Sequence, residues 1–218
     1  MSEVTITVRG EYEILRAPEE AVAHVSVQTS GPERGAVVER IATLATPIRD
    51  DLAARKDAGS LVDWSSRRAS VWSERPWNAD GTQLALVHHA AVELTATFTD
   101  FLALSWWLSE VAQRDGVQVG DIIWRLTRQT AAALEREAAA AAVQVAVERA
   151  HAYASALGLE AVTAVEISDA GLLGHDAPPT IPRMARTSFD GPAAAPAIDA
   201  RPDEIPVSAA IEARFVAR

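Results

Sequence analysis

The sequence predicts an α+β fold: antiparallel sheet made of hairpins and packed with three helices, in the order ββαββαβαβ, then a loop, then β. Three observations carry that prediction. Apolar and polar residues alternate with a period of two in several stretches, the mark of a strand with one buried face. Three other stretches repeat their apolar residues at helical spacing. No period of 20–50 residues recurs, which excludes solenoids and propellers. A chain of 218 residues suits one domain able to bury a sizeable core without metal or disulfide. The expected boundaries are 1–168 for the domain core, 169–205 for a Pro-rich loop, and 206–218 for a strand completing the same domain.

The first strand is read from Val4, Ile6, Val8, Gly10, Tyr12 and Ile14, which alternate with polar residues. Ala17-Pro18-Glu19-Glu20 is a turn, and Ala21, Ala23, Val25 and Val27 begin a second strand, so the pair reads as a hairpin. After Gly31-Pro32 the period changes. Val37, Ile41, Leu44, Ile48 and Leu52 form one helix face. Pro47 lies inside that pattern, but the stripe stays in phase across it, so a single kinked helix ending at Gly59 is expected. Residues 61–75 read as a strand of mixed polarity, followed by turn chemistry at Asn78-Ala79-Asp80-Gly81. A central strand over 84–98 places Leu84, Leu86, His88, Ala90, Val92, Leu94, Ala96 and Phe98 on one face. Asp100 then caps a helix with Phe101, Leu104, Leu108 and Val111 inward, closed by Gly116. Ile122, Trp124 and Leu126 mark a further strand. The Ala-rich run 130–157 is a helix with Gly158 just past its end, thin enough to lie close against a sheet. Residues 161–168 give a short strand. Seven of the eleven prolines follow Asp169, and in that segment Ile181, Met184 and Phe189 are candidate apolar anchors. Val207, Ala209, Ile211, Ala213 and Phe215 alternate in the last strand.

Composition narrows the partners. The formal net charge is −10, and no Lys/Arg cluster stands free of acidic neighbours. Such a surface repels phosphate backbones and anionic membranes, so neither nucleic acid nor membrane insertion is expected. Lys56 is the only lysine, and cysteine is absent, which removes disulfides, thiolate metal sites and Cys nucleophiles. The chain enters strand-like alternation directly after Met1-Ser2-Glu3, without a basic and apolar leader pattern, so a cytoplasmic location is expected unless a leader has been removed.

Four segments in the same order carry a resemblance. They are Val8-Arg9-Gly10-Glu11-Tyr12-Glu13, Ala17-Pro18-Glu19-Glu20-Ala21, the Ala-rich helix running into Ala156-Leu157-Gly158-Leu159, and Pro202-Asp203-Glu204-Ile205-Pro206-Val207-Ser208-Ala209. Together they resemble the SIMPL domain family of mostly bacterial proteins, also called DUF541, over essentially the whole chain. Asp203 stands where that family usually has a glycine. The resemblance implies a non-enzymatic protein: some members resemble periplasmic antigens that assemble into rings, some are linked to stress tolerance, and an animal relative is a kinase-associated adaptor. It supplies no catalytic residues.

The residues themselves suggest little chemistry. His88-His89 invites a metal hypothesis, but neighbours in a strand point to opposite faces and cannot chelate one ion. His88 is instead expected in the apolar row, neutral and bonded to a neighbour. His24, His151 and His175 form no spacing motif, and GxSxG, GxGxxG, Walker A and HExxH sequences are absent. No metal, cofactor or catalytic residue is therefore expected. Tryptophan is overused, with six residues. Trp107 and Trp124 project with core positions. Trp106, at about 100° per residue, turns nearly opposite the inward stripe and is a candidate interface anchor. Trp72 and Trp77, flanking Arg75-Pro76, form a second candidate interface. For both patches the alternative is partial burial under the Pro-rich loop.

The function expected from this reading is a non-catalytic, self-associating scaffold or binding module whose partner is a further copy of the chain. The alternative is a small-molecule-binding or hydrolytic protein using a cleft between the sheet and the Pro-rich loop.

Overall fold

The computed structural model describes residues 3–173 and 202–218. Most of the expected Pro-rich loop, with Ile181, Met184 and Phe189, lies outside the described residues, as does His175. The described residues gather into two compact units, one holding 3–17, 126–173 and 203–218, the other built on 18–125. The expected α+β class and order of elements are present, three helices among antiparallel strands.

The first unit is a three-stranded sheet in the order β1-β8-β7, from β1 (Val4–Arg16), β7 (Val162–Asp169) and β8 (Ile205–Ala217), with α3 (Arg128–Ala156) packed on it. Alternation puts Ile6 and Val8 of β1 and Ile211, Ala213 and Phe215 of β8 inward. They meet Ala142, Ala146, Ala150 and Ala154, every fourth residue of the helix. Methyl side chains let the backbones approach closely, and at Gly10 they do so to the limit. A Cβ there would overlap the carbonyl oxygen of Ala142. Thr127 caps α3 by accepting from the Thr130 N–H at 3.2 Å, and Gly158 past its C-terminus has φ +74°.

The second unit is a five-stranded sheet. Its path is β3-β5-β2-β6, with β4 also paired to β5. Its strands are β2 (Glu20–Gly31), β3 (Asp63–Ser66), β4 (Ser70–Glu74), β5 (Val87–Phe98) and β6 (Val117–Arg125). The helices α1 (Arg34–Asp57) and α2 (Phe101–Val111) join one core with the inward row of β2, Ala21 to Val27, and of β5, Ala90 to Phe98. The alternate residues of those strands form the opposite face of the sheet. α1 runs unbroken through Pro47, as its in-phase stripe requires.

Three expectations are corrected. β1 and β2 are not a hairpin: β1 pairs with β8, while β2 pairs with β5 and β6. Alternation shows that a strand has a buried face but not which strand lies beside it. Pro18 has no N–H to give, and the N–H of Glu19 already goes to the carbonyl of Arg125 at 3.0 Å, on β6. The strand expected over 61–75 is two short strands, laid end to end along β5, opposite 94–97 and 87–91. The strand expected from 84 begins at Val87, and Leu84 and Leu86 are exposed. Their alternation runs past the last partners, Glu74 of β4 and Gly31 of β2, so among the described residues no neighbouring strand pairs with them. The segment before β5 turns at Asn78 instead, whose Oδ1 accepts from the N–H groups of Asp80 and Thr82, with Gly81 at φ +74°. β8 starts at Ile205, one residue before the expected 206, and holds Pro206. That residue faces Leu15 of β1, while pairing with β7 stops at Ile211, so β8 is an edge at the proline.

Candidate functional site

α2 positions the first candidate surface. Asp100 Oδ1 accepts from the N–H groups of Leu102 at 2.9 Å and Ala103 at 3.1 Å, the cap expected from sequence. Leu104, Trp107, Leu108 and Val111 then turn into the core. Trp107 packs on Phe98 with ring centroids 5.5 Å apart and donates its indole N–H to Asp51 Oδ2 of α1 at 3.0 Å. That locks the rotation of α2. The same rotation turns Leu102 and Trp106, four residues apart and so neighbours on one helix face, outward at 68% and 70% exposure. The polar groups around them are occupied. Ser105 and Ser109 hydroxyls return to the carbonyls of Phe101 and Ser105 at 3.0 and 2.9 Å. Glu110 is held by Arg55 at 3.1 Å and Arg114 at 3.5 Å.

The second surface is on the sheet face opposite the two helices. Trp72 of β4 and His89 of β5 are cross-strand partners whose rings stack, centroids 5.3 Å apart and planes 13° from parallel. His89 Nε2 lies 3.2 Å from Glu74 Oε1, an ion-pair distance out of line for a hydrogen bond. Beyond them, Gln28 of β2 and Gln118 of β6 join side chains at 3.1 Å. Trp72, His89, Gln28 and Gln118 line an open groove of about 310 Å³. The glycine turn before β6 supports one end, where Gly116 has φ +72° and a Cβ would overlap the Gln28 carbonyl oxygen.

Trp106 thus lies outward, as read from the helix period. Trp72 and Trp77 are also exposed, at 44% and 67%, but they do not share a site: Trp72 lines the groove, while Trp77 bridges to Gln83 in the turn segment. His88 and His89 point to opposite faces of β5. His88 is half-buried, with Nδ1 2.6 Å from the Ser73 hydroxyl across the strand pair. Among the described residues no group of three or more His, Asp or Glu side chains is placed to hold a metal ion. Nor is any described helix long and apolar enough to cross a membrane. Leu102 was missed by sequence reading although its i,i+4 spacing to Trp106 signals it. The Gln28–Gln118 pair was not readable, because 90 residues separate partners that only the sheet register joins.

The model of the SIMPL family, described as a protein of unknown function (DUF541), matches residues 6–215. The chain belongs to the SIMPL family. No curated protein matches it. The SIMPL match reaches into both compact units and each of the eleven strands and helices among the described residues, so both candidate surfaces lie within it.

Proposed function

We propose that this SIMPL protein is a non-catalytic binding module that self-associates through the outward face of α2. The observation that carries the reading is the exposed Leu102–Trp106 pair. Apolar side chains of this size, side by side and ringed by polar groups already satisfied within the chain, suit a contact that excludes water without stranding a charge. A second copy of the chain is the occupant, because a patch with its charges paired internally meets itself without like-charge opposition. Burying the indole and the leucyl side chain is worth on the order of 2 kcal/mol each. Some members of the family resemble antigens that assemble into rings, which points the same way. The absence of a catalytic motif supports the non-enzymatic part.

Light scattering of the purified chain tests it. The expected result is a mass above that of the monomer at micromolar concentration and a return to monomer mass in Trp106→Ala, with an unchanged circular dichroism spectrum. A wild-type chain still monomeric at about 100 μM, where an association of several kcal/mol is well populated, overturns the reading.

A further inference from the structure

We infer that the Trp72 groove is a binding site for a neutral saccharide, independent of the α2 contact. The argument begins with hydrogen-bond capacity. Gln28 Nε2 donates to Ser26 Oγ and to Gln118 Oε1, both at 3.1 Å, which fixes the orientation of both amides. Both donors of Gln28 and one lone pair of Gln118 are thereby used. Left over on two residues that both line the groove are Gln28 Oε1, an acceptor, and Gln118 Nε2, a donor. A fixed acceptor beside a fixed donor matches two adjoining hydroxyls, each of which gives one bond and takes one.

An aromatic wall completes the groove. Trp72 is held by its stack on His89 and still exposes much of its side chain. An indole face packs against the C–H face of one sugar ring while the amides take the hydroxyls of a further ring along the same chain. Ser30, opposite His89 on β2, adds a hydroxyl between the two groups. The row Gln118, Gln28, His89, Trp72 runs diagonally over four adjacent strands, about 20 Å at the usual strand spacing and rise, so it is long enough for more than one sugar ring.

Charge selects a neutral ligand. Among the described residues no lysine or arginine lines the groove, which leaves a phosphate or carboxylate without a counter-charge there in a chain of net charge −10. The competing occupant is an organic cation drawn by Trp72 and the nearby Glu74, which the test separates. A cation leaves the Gln28–Gln118 couple unused.

The experiment titrates the full chain with three neutral tetrasaccharides, β-1,4-linked glucose, β-1,4-linked N-acetylglucosamine and α-1,4-linked glucose, and with choline chloride. Binding is read by saturation-transfer NMR and by tryptophan emission. At least one tetrasaccharide is expected to bind saturably with a Kd of about 1 mM. Trp72→Ala and Gln118→Ala each weaken it at least about tenfold while thermal melting is unchanged, and Trp72→Phe retains most of it. Trp106→Ala leaves it intact, so failure of self-association and failure of this site are read separately. The inference is overturned if none of the three saccharides binds up to about 20 mM, well above the Kd expected of so open a site. It is equally overturned if binding survives both Trp72→Ala and Gln118→Ala, or if choline alone binds and is lost in Trp72→Ala.

Discussion

Gly10 shows how much a single position can carry. It is one member of an alternating row in β1, and nothing local distinguishes it from Val8 or Tyr12. Its need for glycine comes from α3, more than 130 residues away, whose Ala142 carbonyl occupies the place of a Cβ. Gly10→Ala is therefore expected to destabilise by at least 1–3 kcal/mol, about the cost of overpacking, because a backbone oxygen cannot swing aside as a side chain can. Gly35 is the control. It lies in the first turn of α1 with nothing within 4 Å of an added Cβ, so Gly35→Ala stabilises by up to about 1 kcal/mol. Urea midpoints of the two variants should move in opposite directions; equal shifts would remove the close-approach argument. Residues whose environment is local were readable in advance: Asp100 as a cap, Trp106 and Trp107 as outward and inward neighbours on one turn.

Elements were legible where their own period declares them, and partners were not. All three helices and the strands at both ends follow from spacing within a dozen residues or so. The β1–β2 hairpin failed because pairing is decided by what else competes for each edge, and β8, at the far end of the chain, takes β1 along its full length. β8 is the middle strand of its sheet, with β1 on one side and β7 on the other. Ending the chain at residue 204 is therefore expected to unfold the first unit, since Ile211, Ala213 and Phe215 leave the core on which α3 packs. Far-UV circular dichroism should lose a large share of its helical signal, and retention of the α3 signal would refute the central placement of β8. In the second unit the same reasoning applies to β5, which has partners on both edges. Amides of 90–98 should exchange slowest in that unit and those of 85–86 quickly, whereas an unbroken 84–98 strand requires both to be protected.

At the scale of the whole molecule, charge and apolar surface act in opposite directions on association. Two copies of a chain with formal charge −10 repel one another over a distance of about 10 Å at 0.1 M salt, a repulsion that shortens to about 3 Å at 1 M. The Leu102–Trp106 face carries its own charges in pairs, Glu110 with Arg55 and Arg114, so the contact itself has no ionic attraction for salt to weaken. Net repulsion plus an apolar contact gives a definite sign: association should tighten as sodium chloride rises from about 0.05 to about 0.5 M, as screening removes the long-range opposition. A contact made of ion pairs between copies behaves the other way and loosens over the same range. Sedimentation equilibrium across that series distinguishes the two, and Trp106→Ala should stay monomeric at every salt concentration. Dissociation on adding salt would move the interface away from α2 to a charged surface, such as the Arg9, Glu11 and Glu13 row on β1, and with it the proposed mode of self-association.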